Sequence, residues 1–183
     1  LIATGPDRAS ALRLLLRGLK LTQIAGLKTN RDFLIALLQH EDFVAGSFDT
    51  GLIARDMEGL TRAPAPAPED WARAALCAMG LLDTGRDRQG DAGFTLFTPL
   101  RQSLALRHQD ELQTVHVSLS PGGQAVVNVA GEIFELGPRT LSQRPAVLAA
   151  GKAYLFGEQT LVFDVIDPLE RTATVQSDGA ITA

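Results

Sequence analysis

The stretch Glu69–Leu82, EDWARAALCAMGLL, limits what the rest of this chain can be. Pro64, Pro66 and Pro68 precede it, and Pro68 suits the first helical position, where a missing N–H costs nothing. Glu69 and Asp70 put negative charge where the helix dipole favours it. Ala72, Ala74, Ala75, Leu76, Ala78, Met79 and Leu81 are good helix formers, and no charge follows Arg73 until Asp83. A surface helix shows a polar stripe, and this one lacks it, so the sequence predicts a helix buried on all sides. It is too short for a membrane span, which needs about 20 apolar residues. A buried helix requires a shell, and the residues from Phe94 onward supply one, in strands.

That shell is legible as a change of period. Phe94 and Leu96, then Leu104 and Leu106, then Val115, Val117 and Leu119 alternate with polar or small neighbours, as half-buried strands do. Pro121-Gly122-Gly123 is read as a turn returning into Ala125–Val129, and Ala130-Gly131 separates this from Glu132–Leu136. Val147-Leu148, Ala153–Phe156 and Thr160–Ile166 continue the pattern. Short strands at regular spacing predict an antiparallel sandwich or barrel, and closure would remove its edges. Between helix and strands, Gly85–Gly93 reads as a polar, glycine-rich and mobile loop.

The first third of the chain is helical in pattern. Asp7 is placed to cap a helix running to about Leu19, with Leu12, Leu15, Leu16 and Leu19 on one face. Thr29-Asn30-Arg31-Asp32 has the form of a capping box before a second helix with Phe33, Leu34, Leu37 and Leu38 as its stripe, fraying near His40. Phe43–Ile53 reads as turn and loop. The alternating Ala63–Pro68 is a semi-rigid linker. The boundaries expected are residues 1–60, a linker at 61–68, and a barrel with its helix at 69–183.

The 183 residues are 45% hydrophobic and carry a formal charge of −4, with no basic run of the kind that grips phosphate backbones, so no nucleic-acid role is expected. Cys77 is the single cysteine, which excludes an intramolecular disulfide and a cysteine-based metal site, and its apolar setting predicts a packed small hydrophobe. The three histidines, His40, His108 and His116, lack ligand spacing, so no metal site is expected. No G-x-S-x-G elbow is present for a serine nucleophile. Asp164 and Asp167 read as a solvated pair rather than catalytic carboxylates, and Gly122-Gly123 as a turn rather than a phosphate loop. Nothing resembles a transmembrane segment, and no membrane partner is expected. Leu1 in the first position leads us to expect a piece of a longer protein.

Two sets of residues resemble a known family. Gly26-Leu27-Lys28-Thr29-Asn30 with Phe33-Leu34, His40, Phe43, Gly46 and Asp49-Thr50 resembles the C-terminal end of biotin carboxylase domains, the last subdomain of an ATP-grasp fold. The helix 69–82 with Gly93-Phe94, Pro99-Leu100-Arg101, Gly131-Glu132 and Phe163–Pro168 resembles the barrel-around-a-helix that follows that domain in acyl-CoA carboxylases of the methylcrotonyl-CoA or geranyl-CoA type. The resemblance implies an α+β chain: part of a biotin carboxylase C-terminal subdomain, then an antiparallel β-barrel wrapped around a central buried α-helix, ending before the biotin carrier domain. It implies a barrel that docks the carboxyltransferase (beta) subunit, and a parent ligase using biotin, ATP and magnesium in a bacterial cytoplasm or a mitochondrial matrix. Thr50 and Gly51 match the stretch lining the adenine edge of the ATP pocket in the complete subunit. The family's catalytic and metal-binding motifs have no counterpart here, so no catalytic residue, cofactor or metal is expected in this chain itself. The alternative is an independent ligand-binding β-barrel, which the apolar helix opposes by filling the cavity.

Overall fold

A computed structural model describes residues 1–82, 99–121, 124–136 and 145–166. The readings placed on Phe94, Leu96, Gly85–Gly93, Gly122-Gly123 and Asp167-Pro168 fall outside these residues. The chain divides into two compact units, one comprising Leu1–Ala65 with Gly157–Thr160, the other the remainder from Pro66 onward.

The first unit is helical. Its α1 (Arg8–Leu21) starts where the sequence indicates: Asp7 Oδ1 accepts the Ser10 N–H at 2.7 Å. That bond holds the Asp7 carboxyl below its ordinary range. Thr22 closes the other end, its N–H donating to the Gly18 and Leu19 carbonyls. Packed on α1 is α2 (Arg31–Gln39), whose buried face is Ile35 and Leu38, with Phe33, Leu34 and Leu37 only half-buried. The expected capping box is absent. Asn30, not Thr29, is the N-cap and makes no side-chain cap bond, and the Asp32 carboxylate accepts from the Thr160 N–H at 2.9 Å and from Arg31.

The segment expected to be loop, Phe43–Ile53, holds most of α3 (Glu41–Ala45) and the start of α4 (Leu52–Arg55), and α5 (Met57–Thr61) follows it. Each is too short to show a periodic stripe. Two local devices bound α3. His40 ends α2 and caps α3, its Nδ1 accepting the Asp42 N–H at 3.3 Å. Gly46, at φ +78°, ends α3 in a left-handed turn with the Ser47 N–H donating to the Asp42 carbonyl. Phe43 and Phe48 stack at 4.8 Å between centroids, and the Arg8 guanidinium lies over both rings.

The second unit is a helix and a sheet. Its helix, α6 (Pro68–Ala78), begins at the expected proline, and Asp70 Oδ2 reaches back to accept the Ala67 N–H at 3.0 Å. It stops short of the expected Leu82. Gly80, at φ +69°, ends it: the Gly80 N–H donates to the Cys77 carbonyl and the Leu81 N–H to Leu76. Leu81 stays buried beside Leu76 as the apolar contact that accompanies this ending. Trp71 through Cys77 are all buried, Arg73 included.

The strands are β1 (Leu100–His108), β2 (Glu111–Leu119), β3 (Ala125–Val129), β4 (Glu132–Leu136), β5 (Ala146–Ala149), β6 (Lys152–Leu155) and β7 (Leu161–Ile166). They form one antiparallel, 7-stranded curled sheet in the order β4-β3-β2-β1-β7-β6-β5. The architecture is therefore α+β, with β4 and β5 unpaired with each other among the described residues. Alternation selects the inner face: Leu104, Leu106, Val115, Val117, Leu119, Val127, Val129, Leu155 and Phe163 join one core with α6. Trp71 meets Phe163 edge-on at 4.9 Å between centroids, tying helix to sheet.

Candidate functional site

The first unit carries three polar constellations. At the start of α4, Asp49 Oδ1 accepts the Gly51 N–H at 2.7 Å and the Arg55 Nη1 at 2.8 Å. The Arg55 guanidinium, followed by the Gly51 N–H, holds the Asp49 carboxyl below its usual range. A Cβ on Gly51 would meet Arg55 Nη1 at 3.0 Å and Asp49 Oδ1 at 3.1 Å, so a larger residue there would displace these exposed side-chain ends by a few tenths of an ångström. Thr50 is exposed and Gly51 half-buried. These groups satisfy one another, and no nucleotide-binding step follows from them.

The second constellation is centred on Arg31, which is 4% exposed. Its Nε donates to the Leu19 carbonyl at 2.8 Å and its Nη2 to those of Lys20 (3.1 Å) and Gly157 (3.2 Å). Nη1 reaches Asp32 Oδ1 at 2.5 Å and Thr160 Oγ1 at 3.1 Å. The guanidinium thus closes the carbonyl end of α1, where a cation is favoured. Its chemistry is structural: every donor contact named goes to this chain. The third is His40, whose Nε2 lies 3.2 Å from Asp56 Oδ2 beside a small depression formed with Gln39 and Gly59. Because Nδ1 accepts the Asp42 N–H, the ring proton belongs on Nε2, facing Asp56.

In the second unit the chemistry-bearing side chains are spread over both sheet faces. His108 points inward, 8% exposed, with Nδ1 bonded to the Val162 carbonyl at 2.9 Å and its ring beside Trp71 and Phe163. Its Nε2 is buried without a hydrogen-bond partner. His116 is outward and exposed, with Nδ1 2.7 Å from Ser103 Oγ. Farther along the outer face, Asp164 is held by Lys152 and by Arg107 Nη2 at 2.8 Å, the three side chains crossing β6, β7 and β1 in one row. The Lys152 ammonium, then Arg107, lowers the Asp164 carboxyl from its usual range. Cys77 lies in the core, where burial pushes its thiol up to about 11. Among the described residues no cluster of His, Cys, Asp or Glu could hold a metal ion.

Residues 1–55 match the biotin carboxylase C-terminal domain family. The mitochondrial methylcrotonoyl-CoA carboxylase subunit alpha of Dictyostelium discoideum is 29% identical over 137 residues, 70% of this chain and 20% of that protein. That of Rattus norvegicus is 32% identical over 98 residues, 54% of this chain and 13% of that protein. Alignments of this length cannot fit within residues 1–55, so the similarity runs on past the family domain. These similarities support a fragment of a biotin-dependent acyl-CoA carboxylase alpha subunit.

It spans about a fifth or less of the length of these relatives. Of the positions through which the sequence resembled biotin carboxylases, the fold explains several structurally. Phe43 and Gly46 shape α3 and its end, His40 caps it, and Asp49 organises the α4 turn around Gly51. Arg31 and Asp32 were missed as a bonding centre. Their signal was a charged pair inside an otherwise apolar helix start, which sequence pattern alone reads as a cap. No helix among the described residues is long and apolar enough to cross a membrane.

Proposed function

We propose that this alpha-subunit chain is a docking piece. Residues 1–60 end the biotin carboxylase domain, 61–68 link it onward, and 69–183 form a barrel closed around α6 that binds the carboxyltransferase (beta) subunit. The observation that carries this reading is the pairing of a matched biotin carboxylase terminus with alpha-subunit similarity continuing beyond it. The buried α6 against a curled antiparallel sheet supports it, since such a unit presents its outer face and edges rather than a cavity.

On this reading the complete subunit carboxylates biotin at the expense of ATP, with magnesium, for transfer to an acyl-CoA, methylcrotonoyl-CoA by analogy with the relatives' names. Thr50 and Gly51 stand at the adenine edge only in that complete subunit. The chain alone turns over neither ATP nor biotin, and its compartment follows that of its enzyme, cytoplasmic in a bacterium or the matrix in a mitochondrion. Native mass spectrometry of the chain mixed with a methylcrotonoyl-CoA carboxylase beta subunit tests the proposal. A complex of defined stoichiometry is expected. Absence of any complex, with submicromolar binding of a fatty acid instead, would favour an independent ligand-binding barrel.

A further inference from the structure

The outward face of β1–β4 carries a polar groove whose residues have no part in the constellations described above. Register places Ser103, His116, Asn128 and Ile133 in one row across the four strands, with Arg101, Ser118 and Val126 in the row beside it. Together they border a depression of ≈ 340 Å³. Its polar side chains are hydroxyls, amides, an imidazole and a guanidinium, and no carboxylate lines it. Glu135 on β4 ends the second row, opposite Val126 at the groove's margin on the Asn128 side and three strands, roughly 14 Å, from Arg101.

Two bonds aim the donors. Ser103 Oγ sits 2.7 Å from His116 Nδ1, and with the hydroxyl donating, the ring proton resides on Nε2. Asn128 Oδ1 accepts the Gly131 N–H at 3.1 Å, which fixes the amide and leaves its Nδ2 hydrogens as the uncommitted end. Arg101 is exposed and has no carboxylate partner among the described residues. An imidazole N–H, an amide NH₂ and a guanidinium on adjacent strands, next to Val126 and Ile133, are complementary to an oxyanion attached to a small apolar body.

We propose that this groove binds a small oxyanionic ligand, a phosphate ester or a carboxylate, with Arg101, His116 and Asn128 as its donors. The test is a titration of the full chain, isotopically labelled, with sodium phosphate and separately with sodium acetate, followed by NMR at the His116 ring and the Asn128 side-chain amide. Sodium chloride at matched ionic strength is the control. Saturable shifts confined to β1–β4 are expected, weakened about tenfold by Arg101→Gln, the loss of one charge-assisted contact. Asn128→Asp, which places a carboxylate in the groove, should abolish them. Saturation by phosphate alone identifies a phosphorylated ligand, and saturation by acetate as well identifies a carboxylate. Shifts that chloride reproduces, or that persist unchanged in well-folded Arg101→Gln, overturn the proposal.

Discussion

At the scale of single residues, Arg31 decides more than its position in a helix start announces. A buried guanidinium is tolerated because carbonyls, a hydroxyl and one carboxylate surround it. Removing it takes a donor from the Lys20 and Gly157 carbonyls and the cation from Asp32, so Arg31→Ala should cost about 1–3 kcal/mol in urea unfolding. Arg31→Lys should recover little, since an ammonium cannot reproduce the planar fork. The sequence could not show this, because the partners at Gly157 and Thr160 lie far along the chain. Two alanines tell the opposite story. Ala130 (φ +50°) and Ala150 (φ +51°) occupy left-handed positions of two-residue hairpin turns, each followed by a glycine also at positive φ. L-residues with a Cβ are strained there by roughly 1–2 kcal/mol, and asparagine less so. Ala130→Asn and Ala150→Asn should each raise the unfolding midpoint, by about 0.5–1 kcal/mol equivalent.

At the scale of elements, α6 was legible because propensity, a proline start and missing charge agree, and its strands because their alternation is regular. Its end was misread: a left-handed Gly80 stops the helix while Leu81 and Leu82 continue the burial, so apolar pattern outlasts helical backbone. The short helix α3 escaped for a related reason, since caps at His40 and Gly46 set it rather than periodicity. If α6 is core, Leu76→Ala should cost about 2–5 kcal/mol, and Ala75→Lys, burying an unpaired charge, should prevent folding, as read by circular dichroism. Near-neutral results for both would place the helix outside the core. The sheet's outer row gives a pH prediction. Asp164 has a lowered folded pKa, so its contribution is present above the unfolded carboxylate value of about 3.9 and is lost as pH falls through the folded value. Thermal unfolding of Asp164→Asn should match the parent at low pH and fall below it at neutral pH. The deficit should be modest, because the row is partly solvated.

For the whole molecule, the α+β class, the family and the sheet content were readable, because they rest on patterns repeated over many residues. The candidate sites were not, because the residues that meet do so across strands or through turns: Ser103 with His116, Asp164 with Lys152 and Arg107. Spacing along the chain carries no trace of either. We propose docking through the sheet-and-helix unit and not through the biotin carboxylase terminus. Hydrogen exchange of the full chain, with and without a methylcrotonoyl-CoA carboxylase beta subunit, measures this directly. Slowed exchange concentrated in β1–β7 and α6, with residues 1–55 unchanged, is the result expected. Protection confined to residues 1–55, or no protection anywhere, would contradict it.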